Sequence, residues 1–146
     1  GYIRTSGKAS LVEKNRETVD LSARQRRQTV EFALQFVGGT YVFGGVDPNN
    51  GVDCSGFTRY ILQNTASISL PHSSKGQSNY GTEVSEEEMQ PGDLIFFQGT
   101  YDTPGASHVG IYVGNNMMIH CGKPVQYTSI ASAYWQEHFM AFGRLH

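Results

Sequence analysis

Cysteine is scarce in this 146-residue chain, with two residues, which excludes a disulfide-built scaffold. Cys54 and Cys121 allow one bridge at most, and both thiols are expected to stay free. Nothing resembles the paired C-x-x-C of a zinc site, so neither a metal nor a cofactor is expected. Charge is thin as well: 16% of residues are charged and the formal net charge is −2. Without a basic patch interleaved with aromatics, that balance argues against nucleic acid as a partner. It also supplies no strong steering toward an anionic polymer. No apolar run reaches the roughly 20 residues of a membrane span. A chain that begins with Gly1 and shows no signal peptide reads as an excised or processed piece.

What is present fits one domain, large enough to bury about 68–70% of its unfolded surface. Residues 1–21 are polar and mixed in charge, and read as a linker or N-terminal tail. Ser22-x-x-Gln25 is a capping-box pattern. Val30, Ala33, Leu34 and Val37 follow at helical spacing, and Gly38-Gly39 stop the helix. A second helix is expected from Cys54, a short one over Ser73 to Tyr80, and a strand from Asp93 to Phe97 after the turn at Pro91-Gly92. A hairpin from His108 to Cys121 follows, then a strand around Val125 to Thr128, a helical turn at Tyr134-Trp135, and a closing strand from Phe139 to Leu145. Helices first and antiparallel strands afterwards predict an α+β domain, its helices packed on one face of a central sheet.

The residues with chemical promise begin at Gly51-Val-Asp-Cys-Ser-Gly-Phe57. Asp53 is a natural N-cap, which puts Cys54 in the first turn of its helix. Unpaired amides and the macrodipole favour negative charge there. With a cooperating histidine such a position can lower a thiol's pKa from about 8.5 to roughly 3.5–7.5.

His108 and His120 lie on the two strands of the hairpin around Gly114-Asn-Asn116. A two-residue loop, Asn115-Asn116, would pair Ile111 with His120 and put the imidazoles on opposite faces. The three-residue loop Gly114 to Asn116, or a bulge with the same effect, is expected instead and pairs Gly110 with His120. Both histidines then share a face as diagonal neighbours about 7–8 Å apart at the backbone. Gly110, lacking a side chain, leaves His120 room to lean across. Cys54 as nucleophile, His108 as base and His120 as orienter make a complete set for acyl transfer. Cys121, next to His120, should face the core.

Tyr41-Val-Phe-Gly-Gly45, Asp53-Cys-Ser-Gly-Phe57, Pro91-Gly-Asp-Leu-Ile-Phe-Phe97, Ser107-His-Val-Gly-Ile-Tyr-Val-Gly114 and Met118-Ile-His120 occur in that order. Together they resemble the NlpC/P60 family of papain-like cysteine peptidases, from about Ser22 to the C-terminus, so that residues 22–146 would be the catalytic domain. The resemblance implies hydrolysis of amide bonds in peptidoglycan stem peptides, most often between γ-D-glutamate and the diamino acid after it, meso-diaminopimelate or L-lysine. It also implies a Cys-His-His triad of Cys54, His108 and His120. Tyr41 would donate its hydroxyl to the oxyanion beside the backbone amides of Cys54 and Ser55. Asp53, Ser55 and Ser107 are candidates for substrate binding, although Asp53 is equally a simple helix cap. His72, after Leu70-Pro71, stands where Arg is more usual.

Two other readings compete. The same triad would serve an N-acetylmuramoyl-L-alanine amidase or an acyltransferase, since specificity lies in the cleft walls. A silent domain that binds wall peptides would need no active thiol. The expected setting is extracellular or at the cell wall, with a second wall-binding or glycan-cleaving domain in the full-length protein.

Overall fold

The computed structural model describes residues 23–145. The expected tail and the Ser22 cap lie outside the described residues. Helix α1 covers residues 23–34 and unwinds through turns to Gly38, whose φ of +94° suits glycine. Its buried stripe is not the expected one: Thr29 and Ala33 are fully buried, whereas Leu34 and Val37 are exposed. The reason is aromatic packing. Phe32 and Phe36 both turn onto Tyr60 of the next helix, with ring centroids 6.0 and 5.7 Å away.

A short hairpin, β1 (Val46–Asp47) and β2 (Gly51–Val52), leads into α2 (Cys54–Ala66). After α2 come α3 (Ser74–Ser78) and β3 (Thr82–Val84), then β4 (Leu94–Gln98), β5 (Ala106–Gly114), β6 (Met117–Cys121) and β7 (Val125–Ser129). Helix α4 (Ala133–His138) and β8 (Phe139–Arg144) complete the described chain. The main sheet has six antiparallel strands in the order β3-β8-β4-β5-β6-β7. β8 therefore lies inside the sheet, between β4 and the short polar edge strand β3, which the sequence pattern did not reveal.

The expected α+β architecture is present, with one addition. Phe57, Ile61 and Leu62 of α2 meet Phe96, Val109, Ile111 and Ile119 on one sheet face. The other face, carrying Ile95, Phe97, Tyr112, Met118 and Phe142, is covered by Met89, Trp135 and Phe139. At the start of β4, buried Asp93 accepts from Arg144 Nε and Nη2, each at 2.9 Å, which fixes the end of β8.

The β5–β6 hairpin settles the register. Asn115 and Asn116 have φ of +54° and +58°, a two-residue loop of the twist that hairpins favour. A bulge between Tyr112 and Gly114 adds the extra residue, so Gly110 pairs with His120 as the cooperating-histidine reading requires. A Cβ on Gly110 would lie 3.1 Å from the His120 Cβ, so the missing side chain is what lets His120 lean over.

Candidate active site

Cys54 is the first residue of α2, and its surroundings follow from the motif around it. Asp53 caps the helix, its Oδ1 accepting from the Gly56 amide at 2.8 Å. Any Cβ on Gly56 would overlap the Gly45 carbonyl, so only glycine lets the loop 41–45 close against α2. That loop runs beside β2 through Val42 N to Val52 O (2.9 Å) and Val52 N to Thr40 O (3.1 Å). Tyr41 is thereby brought beside Asp53 and Cys54, and burial and the charges of those residues push its phenol up, so it remains an O–H donor.

The Cys54 Sγ rests 3.5 Å from Ser74 Oγ and also takes backbone hydrogen bonds from Val109 and Ser55. Contact with the Val109 amide puts the sulfur next to the residue that follows His108. Ser74 opens α3, and Gln77 of the same helix, buried and fully used, ties α3 to α2. The Gln77 amide donates to Ser55 O (2.9 Å) and Pro71 O (3.0 Å), and its oxygen accepts from Thr58 (2.6 Å). One expectation is corrected here. Burial pushes the Cys54 thiol up, Asp53 adds to it, and together they outweigh the lowering by Ser74 and the two amides. At Cys54 the loss of water outweighs what the helix N-terminus supplies.

His108 Nε2 and His120 Nδ1 are 2.8 Å apart, and His120 Nε2 is 2.9 Å from Thr128 Oγ1. Two proton assignments satisfy this chain when the site is neutral, the hydrogens running from His108 Nε2 toward Thr128 or from the Thr128 hydroxyl toward His108. Only the first leaves His108 Nδ1 bare, as a general base requires. His120 holds its role whether His108 is neutral or protonated, which is what an orienter must do. Trp135 covers the pair, stacked on His108 (centroids 5.4 Å apart) and edge-on to His120 (5.2 Å).

Burial, then the neighbouring His120 for His108, pushes both imidazoles well below the ordinary histidine range. Both rings are therefore disposed to be neutral, and burial favours the thiol form of Cys54. The shifts also tie stability to pH. In the unfolded chain both rings take up protons below about pH 6.5, while in the folded chain they resist doing so. The stability they contribute is present above that value and is lost as pH falls through the window below it. The expected result is a melting temperature that falls between pH 7.5 and pH 5 and falls less in His120→Gln. Equal slopes in the two proteins would contradict the assignment.

Thr128, which the sequence reading missed, gives a second expectation. Thr128→Val removes the hydrogen-bond partner of His120 Nε2 and should lower kcat roughly three- to tenfold, the worth of a hydrogen bond of about 0.5–1.5 kcal/mol, with KM unchanged. Steady-state kinetics would reveal it. The signal for Thr128 exists in the pattern, because Thr128 pairs with Met118 and so shares the face of His120. The loop through Pro124 hides that register from the sequence. Trp135 and Ser74 carried no signal, since both approach from other elements.

The remaining candidates separate. The Asp53 carboxylate is occupied, by Gly56, by the Gly44 amide (3.0 Å) and by His72 Nε2 (2.9 Å), which identifies the partner of that histidine. Ser55 and Ser107 are buried. The Ser107 hydroxyl bonds Thr100 and the Phe97 carbonyl, tying down the loop 99–105 instead of opening to the cleft. Cys121 is buried, donates to Val52 O at 3.1 Å, and is pushed up to about 12 by burial and then by Cys54 and Asp53. Both cysteines are free thiols. Among the described residues no group of three or more His, Cys, Asp or Glu side chains could hold a metal ion, and no helix is long and apolar enough to cross a membrane.

Comparison with known proteins follows the same lines. A model of the NlpC/P60 family matches residues 38–144. The bifunctional muramidase/DL-endopeptidase CwlT of Bacillus subtilis is 37% identical over 134 residues, covering 91% of this chain and 40% of that protein. The chain thus spans about two fifths of that relative's length. A Staphylococcus aureus protein described as similar to lipoprotein, NLP/P60 family, superposes with a TM-score of 0.77 at 38% identity, covering 83% of this chain and 41% of the other. The NlpC/P60 domain of the peptidoglycan hydrolase SagA gives 0.70 at 29% identity, covering 82% of this chain and 98% of that one.

Proposed function

This chain belongs to the NlpC/P60 family, and on that premise we propose that it is a cysteine endopeptidase that cleaves peptidoglycan stem peptides. The proposed bond joins γ-D-glutamate to the diamino acid after it. The observation that carries the reading is the hydrogen bond between His108 and His120, on a strand whose next residue, Val109, meets the thiol at the N-terminus of α2. The DL-endopeptidase and peptidoglycan hydrolase named among its relatives support the substrate class. An enzyme acting on that polymer works outside the cell or at the wall.

In the proposed reaction Cys54 Sγ attacks the scissile carbonyl as its proton passes to His108 Nδ1. Because the resting pair is neutral, transfer accompanies attack. The oxyanion formed accepts from the Cys54 and Ser55 amides, which have no carbonyl a turn earlier to bond, and from the Tyr41 hydroxyl. The imidazolium, steadied by His120, returns the proton to the leaving amine as the C–N bond breaks, leaving a thioester. Water then attacks the thioester, gives a proton to His108, and the released thiolate recovers it.

Mass spectrometry of muropeptides digested by the protein tests the bond. Products ending in D-glutamate and beginning with the diamino acid are expected. Release of intact stems from muramic acid would point to the amidase instead, and absence of any product would overturn hydrolysis.

A further inference from the structure

Beside Tyr41, on the side of the ring reached by the segment after β6, lies an open pocket of about 420 Å³ lined by Gly38, Thr40, Tyr41, Lys123 and Pro124. Its two walls are fastened together. Gly38 N donates to Val125 O at 2.7 Å and Val125 N to Gly39 O at 2.9 Å, so residues 123–125 are held against residues 38–41. Lys123 extends over the Tyr41 ring, its Nζ 5.2 Å from the centroid. The ammonium is exposed, and among the described residues no carboxylate pairs with it. The nearby Asp53 is spent on His72 and two backbone amides. A cation that no carboxylate among the described residues pairs thus stands over the ring of Tyr41, a residue within reach of the charges of Asp53 and Cys54.

We propose that Lys123 and the pocket beside Tyr41 form a subsite for a carboxylate of the substrate; this rests on the stem-peptide reading above. The chemistry of such peptides supplies two sources. A glutamyl residue linked through its side chain keeps its α-carboxylate, separated from the scissile carbonyl only by a short aliphatic stem. Meso-diaminopimelate carries a further carboxylate on its side chain, which lysine lacks. Tyr41 lies beside the acyl carbon in the proposed mechanism, so a cation over its ring is within reach of either group.

The test compares stem peptides that carry the α-carboxylate of D-glutamate or its amide, each with meso-diaminopimelate or with lysine. Lys123→Met should lower kcat/KM about tenfold, the scale of a charge-assisted hydrogen bond, on whichever carboxylate the subsite holds. It should leave the matching uncharged peptide nearly unchanged, and Lys123→Arg should restore most of the loss. A selective loss on the free glutamate α-acid assigns that group, and one on diaminopimelate assigns the other. An equal loss on all four peptides, or none, overturns the subsite while the hydrolytic reading stands. Calorimetry with Cys54→Ala protein reads the subsite without chemistry. If the wild type cleaves nothing yet Lys123→Met still selectively weakens binding of the acid, the hydrolytic reading falls and the subsite stands. If no peptide binds, the subsite falls too.

Discussion

Replacing Cys54 with alanine should lower stem-peptide hydrolysis by about 10⁵–10⁶, the loss seen when a covalent nucleophile is removed from a preorganised site, and leave thermal stability nearly unchanged. Sγ sits in an arranged environment: Ser74 Oγ at 3.5 Å, and the amides of Val109 and Ser55. The second thiol cannot take over, because Cys121 is buried and its sulfur is turned to the Val52 carbonyl. Thiol alkylation adds a signature of its own. Since burial raises the Cys54 thiol above its ordinary value, labelling should be slow at neutral pH and accelerate through the alkaline range. A plateau already reached near pH 6 would mean a preformed ion pair and contradict the neutral resting state. Comparable hydrolysis by Cys54→Ala and wild-type protein would remove the nucleophile assignment.

The second large effect is on stability and activity together. Phe57→Ala should cost about 3–5 kcal/mol, because the ring is fully buried and a cavity would replace it. Phe57 stands one turn after Cys54 on α2 and packs into the core that includes Val109 and Ile111 of the histidine strand. Losing it loosens the contact that sets nucleophile against base, and a misplacement of about 1 Å can cost 10²-fold in rate. Calorimetry and kinetics on the same sample check both. Normal melting with full activity would show that this contact does not position Cys54. Normal melting with lost activity would show positioning without the stability cost.

Much of the fold could be read before any coordinates. The helix from Cys54, the β4 strand, both hairpin strands and the short helix at Tyr134-Trp135 each carry strong local signals: a cap, a turn or a β-branched run. The elements that escaped are weak locally. β3 has three residues, two of them polar and exposed, and exists because β8 offers it an edge. The stripe of α1 was displaced because Phe32 and Phe36 found Tyr60, a partner set by tertiary packing and not by helical period.

The candidate site divides along the same line. The residue types and their order determined the nucleophile candidate, the two histidines, the helix cap and the need for a glycine opposite His120, because each rests on chemistry or geometry within a few residues. Only the tertiary structure decided which registers and surroundings those residues have. A bulge, not a longer loop, put His120 opposite Gly110. Thr128 arrived from the next strand to bond its Nε2, and Lys123 was carried over Tyr41. Burial, a property of the whole packed core, reversed the thiol's expected shift. Local sequence sets which groups can react; desolvation and long-range pairing set the state in which they wait, because both depend on atoms distant in the chain.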